Sequence, residues 1–134
     1  MDKVHLDAVL TPGGWSDGVT LTLDAGGRIA AIDAGSPPAG ATRVRGAVLP
    51  GLPNLHSHAF QRGMAGLTEV AGRSDDSFWT WRDWMYRFAL SLDPEDVEAI
   101  AALAYVEMLE AGFTTVGEFH YLHHGRNGEP YADP

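Results

Sequence analysis

The 134 residues include 45% hydrophobic and 20% charged side chains, enough apolar content for a domain-sized core and nothing that signals disorder. Eighteen acidic against nine basic residues give a formal net charge of −9, which argues against a nucleic-acid surface or an anionic membrane as partner, since both attract basic patches. No cysteine is present, so disulfides and thiol chemistry are excluded; no secretory signal opens the chain at Met1-Asp2-Lys3-Val4-His5, no apolar run is long enough to cross a bilayer, and a cytoplasmic location is expected.

Residues 1–49 read as short strands, at 4–10, 19–24, 28–33 and 42–49, broken by glycine and proline. Gly26-Gly27 between two alternating segments signals a hairpin, because both residues tolerate positive φ. Ser36-Pro37-Pro38-Ala39-Gly40 reads as a loop. Strands this few and short imply a small sheet completed by chain from elsewhere. His5 is expected to be a strand residue without a functional role.

From Val48 a buried apolar strand is expected, running through Pro50-Gly51-Leu52-Pro53-Asn54-Leu55 and closing on His56-Ser57-His58. On a strand, side chains at i and i+2 share a face with Cα atoms roughly 6–7 Å apart, so two imidazoles can converge on one ion. On a helix the same pair would splay apart. A bare His-x-His is equally consistent with two polar residues ending a strand. Gln61 follows one short turn later, within reach of a ligand held near the histidines, although a glutamine there can also be merely solvated. Asp75 and Asp76 read as a solvated turn.

Arg82 lies among Phe78, Trp79, Trp81, Trp84 and Tyr86. A guanidinium between aromatic walls offers a planar, permanently charged fork for a carboxylate, but the same pattern fits a surface arginine on an amphipathic helix whose aromatics are core. A helix follows. Asp93 suits the N-cap, Pro94 the first turn, Glu95 and Asp96 the positive end of the helix dipole, and Gly112 the C′ position. Val97, Ile100, Ala101, Leu103, Ala104, Met108 and Ala111 recur at helical spacing. With the strand expected at 114–120 this completes a βαβ unit and an α/β fold class. His120, His123 and His124 could be neighbours on a helix, but the segment reads as strand running into the loop Gly125-Arg126-Asn127-Gly128, so a second metal cluster is not expected.

Several stretches carry a family resemblance. The Pro-Gly-Leu-Pro-Asn-Leu-His-Ser-His run, followed by Leu109-Glu110-Ala111-Gly112-Phe113-Thr114-Thr115-Val116, resembles the start of an amidohydrolase-superfamily enzyme. Asn54 to Met64, Trp79 to Tyr86, and Glu118-Phe119-His120-Tyr121-Leu122-His123-His124 are similar to the formimidoylglutamate deiminase family of histidine degradation. The resemblance implies that residues 1–49 are strands of a small β-sandwich and residues 50–134 the first β/α units of a metal-dependent (β/α)8 barrel. Both would be partial domains, and the chain is expected to be an N-terminal fragment.

The same resemblance implies one zinc per complete chain, with His56 and His58 as metal ligands and Gln61, Arg82 and Tyr121 as substrate-binding residues. No catalytic residue is expected within this chain; the acid and base and the remaining metal ligands would lie beyond Pro134. The implied reaction is attack of a zinc-activated water on the formimidoyl carbon of N-formimidoyl-L-glutamate, releasing ammonia and N-formyl-L-glutamate. An acidic small-molecule substrate and a homodimer of the complete protein are the expected partners. Alternatives are a deaminase of a purine-like heterocycle from the same superfamily, which Arg82 argues against, and a non-catalytic truncated module.

Overall fold

The computed structural model describes residues 2–35, 37–69 and 77–132, so Ser36 of the expected loop and the expected turn at Asp75 and Asp76 lie outside the described residues. It divides into two compact units, Met1–Pro50 and Gly51–Pro134.

The first unit is a four-stranded sheet formed by β1 (Lys3–Thr11), β2 (Gly14–Leu23), β3 (Ile29–Ala34) and β4 (Thr42–Val48), in the order β3-β2-β1-β4. β1 pairs antiparallel with β2 and parallel with β4. Leu6, Val9 and Val19 form its core, with Val4, Leu21 and Val48 packed against them. The hairpin expected at Gly26-Gly27 joins β2 to β3. Gly27 adopts φ 76°, and the Asp24 carboxylate accepts from the N–H groups of Gly26 and Arg28 at 2.8 and 2.9 Å. β2 starts earlier than the sequence suggests. Thr11 pairs with Gly14 across the two residues Pro12 and Gly13, and the polar stretch Ser16-Asp17 is drawn into strand by pairing with Val9 and Ala8. His5 is buried at 4% exposure, with Nδ1 3.0 Å from Thr20 Oγ1 on the paired strand, which accounts for a histidine there without any further role.

The second unit contains β5 (Leu52–Ser57), a 3-10 helix (Ala59–Met64), α1 (Phe78–Ala89), α2 (Pro94–Glu110) and β6 (Phe113–Glu118). β5 and β6 pair in parallel, with α2 as the crossover between them. The start of α2 follows its sequence signals: the Asp93 carboxylate accepts from Asp96 N, the Asp96 carboxylate accepts in turn from Asp93 N, and Pro94 occupies the first turn. At its other end Gly112 takes φ 90°, a left-handed conformation that releases the chain into β6. α1 is capped by Ser77 and Thr80 in a reciprocal pair.

β5 departs from the buried strand expected of it. Of its residues only Ser57 is buried, and Leu55 is 82% exposed, because β6 is its single strand neighbour among the described residues. The core of this unit lies instead beyond β5 in the chain, where Phe60 and Met64 of the 3-10 helix pack with Met85 of α1 and Leu92. The expected strand at 114–120 ends at Glu118, so His120 and Tyr121 fall in irregular chain beyond it.

Candidate metal and substrate site

β5 delivers His56 at its end, and the chain leaves the strand at His58, which caps the 3-10 helix with φ −130° and ψ 78°. The bend brings the rings together. His56 Nε2 and His58 Nε2 are 3.1 Å apart, with the ring centroids at 4.6 Å and the planes at 84°. Two nitrogens bound to one zinc at ~2.0–2.1 Å with tetrahedral angles stand roughly 3.3 Å apart, so the observed spacing fits adjacent ligand positions.

The orientation of His58 has a cause. Its Nδ1 lies 3.0 Å from the Phe119 carbonyl, which can only accept, so the proton resides on Nδ1 and the lone pair on Nε2 faces His56. Phe119 and Tyr121 pack their rings edgewise to the imidazole, at centroid distances of 5.7 and 4.9 Å. Among the described residues, no group of three or more His, Cys, Asp or Glu side chains is placed to hold an ion. The histidine pair therefore offers two positions of a metal shell. His120 and His123 stack edgewise at 5.5 Å, but no helix carries them and they form no such group with His124.

Beside the pair opens a cleft of about 540 Å3 lined by His58, Gln61, Trp81, Arg82, Met85, Phe119 and Tyr121, among others. The structure thus brings Gln61, Arg82 and Tyr121 to one cleft with a member of the histidine pair. The Gln61 amide donates to the Tyr121 hydroxyl at 3.0 Å, and that hydroxyl lies 3.4 Å from Met85 Sδ. Arg82 is half-buried on α1 with its guanidinium 5.4 Å from the Trp79 ring and 5.2 Å from the Tyr86 ring. Trp84 plays no part in holding it. Its ring faces Arg87 at 5.9 Å, on another side of the helix.

Two contributors have no counterpart among the residues singled out in the sequence: the Phe119 carbonyl, which orients His58, and Glu118, whose Oε1 accepts from Ala59 N at 2.8 Å. A carboxylate closing an otherwise uncharged strand, Phe113-Thr114-Thr115-Val116-Gly117-Glu118, is the signal that could have drawn attention to the second. Burial, then the nearby Glu118 charge, pushes the Tyr105 phenol above its ordinary pKa.

A parallel strand–helix–strand unit carries paired histidines at its strand end, and the chain that contains it belongs to the amidohydrolase family, whose model matches residues 47–130. Residues 1–46 match the family described as "Formimidoylglutamate deiminase HutF, N-terminal domain". The particular likeness is to formimidoylglutamate deiminase of Pseudomonas aeruginosa, 54% identical over the whole of this chain and 30% of that protein. A crystal structure of an amidohydrolase from Brucella melitensis superposes with a TM-score of 0.89 and 51% identity, over 99% of this chain and 30% of that one. An 8-oxoguanine deaminase of Pseudomonas aeruginosa is 29% identical over 88% of this chain and 27% of that protein. The chain thus spans less than a third of the length of these relatives.

Proposed function

We propose that this chain supplies the opening part of a zinc-dependent formimidoylglutamate deiminase, a C–N hydrolase of histidine degradation acting in the cytoplasm. In this reading, residues 1–49 belong to a small β-sandwich and residues 50–134 begin a (β/α)8 barrel, whose ligand-binding face is formed by the ends of its strands. The observation that carries it is the convergence of His56 and His58 Nε2 at 3.1 Å beside a cleft containing Arg82.

His56 and His58 would hold the zinc. Nitrogen donors suit that ion, and the Nδ1–H bond to the Phe119 carbonyl keeps His58 in the tautomer a metal ligand needs. Bound zinc lowers the pKa of a coordinated water to about 7 and so supplies hydroxide at neutral pH. Arg82, held between Trp79 and Tyr86, would pair with a substrate carboxylate. Gln61 and Tyr121, already joined by a hydrogen bond, would complete the polar contacts on the same wall. The catalytic acid and base and the other metal ligands would come from later strands, and the complete protein would be a homodimer.

A second reading is favoured by the likeness to 8-oxoguanine deaminase: a heterocycle would occupy the aromatic cleft instead. Ammonia release by the full-length protein, followed with N-formimidoyl-L-glutamate and with 8-oxoguanine, separates the two. The first substrate is expected to be turned over and the second left intact. Turnover of the purine alone would reverse the assignment.

A further inference from the structure

We propose that Glu118 is a positioning residue for the histidine pair, acting through the backbone at Ala59. The inference rests on the reading of His56 and His58 as zinc ligands. His58 is the N-cap of the 3-10 helix, yet its imidazole makes no capping bond. Its ring is committed elsewhere, Nδ1 to the Phe119 carbonyl and Nε2 toward His56. The first N–H groups of a helix have no partner within it, and Ala59 is 5% exposed, so its N–H would be stranded away from water. Glu118 takes over the role that the cap residue cannot perform, with Oε1 2.8 Å from Ala59 N.

The consequence falls on His58. A bond to the amide of the following residue restrains the torsion that leads out of His58, where ψ is 78°, between helical and extended values. On the other side Phe119 N donates to the Ser57 carbonyl at 2.9 Å. Glu118 and Phe119 therefore grip the chain immediately before and after His58, and the Phe119 carbonyl holds its ring. The second Glu118 oxygen is also shielded from water, and the Tyr105 phenol, whose pKa burial raises first, lies near enough for the Glu118 carboxylate to raise it further.

The test uses the full-length protein with Glu118→Val, which removes the acceptor while keeping strand propensity, and Glu118→Gln, which keeps an oxygen for Ala59 N. Zinc dissociation constants by chelator competition and melting temperatures of the metal-free proteins are the readouts. Zinc binding is expected to weaken about 10–100-fold in Glu118→Val, the range for groups that orient metal ligands, and to stay within about threefold of the parent in Glu118→Gln. A parent-like constant in Glu118→Val, whatever its melting temperature, would overturn the proposal. If Glu118→Val does not fold, Glu118→Met, which fills similar space without an oxygen to accept from Ala59 N, takes its place with the same two outcomes, and a tenfold loss in Glu118→Gln refutes the acceptor role. Failure of the underlying zinc reading shows separately, as a parent protein that binds no zinc.

Discussion

At the scale of single residues, the arrangement separates the side chains that would hold metal from those that would meet substrate. Arg82 is held over the Trp79 and Tyr86 rings, so Arg82→Met should lower kcat/KM for formimidoylglutamate by about 10–100-fold, the scale of a lost charge-assisted hydrogen bond, with zinc content unchanged. Unaltered kcat/KM would remove the local support for an acidic substrate. His58→Ala should behave oppositely and lose zinc together with turnover. The convergence of the His56 and His58 rings was legible because an i, i+2 spacing at a strand end is a purely local signal. Glu118 and the Phe119 carbonyl were not, because they reach His58 and Ala59 from about sixty positions further along the chain. The environment of Arg82 was legible only in part: five aromatic neighbours in sequence became two ring contacts once α1 fixed which of them share its side.

At the scale of elements, the 3-10 helix is wedged between α1 and α2, and Gly63 marks how tightly. A Cβ at Gly63 would lie 2.7 Å from Phe88 Cζ and 2.9 Å from Ile100 Cδ1, so Gly63→Ala should destabilise the protein by about 1–3 kcal/mol through overpacking, readable as a lower denaturant midpoint. Arg62 ties the same helix to α2 through a bidentate pair with Glu107 at 2.6 and 2.7 Å. The Arg62 hydrogen bond lowers the Glu107 pKa, and a backbone bond from Asp93, with Arg126 adding to it, lowers that of Asp96. Carboxylates with depressed folded-state pKa values stabilise the protein above their ordinary pKa and lose that contribution as pH falls through the depressed value. Melting temperature should therefore hold near neutrality and decline below about pH 4, modestly, since these groups face solvent. α2 was readable because Asp93, Pro94 and Gly112 are strong local markers. The capping pair at α1 was harder to see, because Thr80 stands where a glutamate or glutamine would signal a capping box.

At the scale of the whole molecule, the second unit leaves much apolar surface uncovered. Leu103, Val106 and Leu109 of α2 are 49%, 52% and 64% exposed, alongside Leu55 on a sheet of two strands. These 134 residues expressed by themselves should self-associate and melt without a sharp transition, as size exclusion and circular dichroism would report, and should release no ammonia from formimidoylglutamate. The apolar pattern of β5 suggested a buried strand because periodicity reports what a segment is suited to, while burial depends on neighbours, and β5 has one strand beside it among the described residues. Metal dependence tests the role of the histidine pair most directly. The full-length protein, stripped by chelation and titrated with zinc, should regain formimidoylglutamate deimination in proportion to bound metal up to about one zinc per chain, and His56→Ala or His58→Ala should abolish the recovery. Full activity in the metal-free protein, or undiminished recovery in either variant, would contradict it.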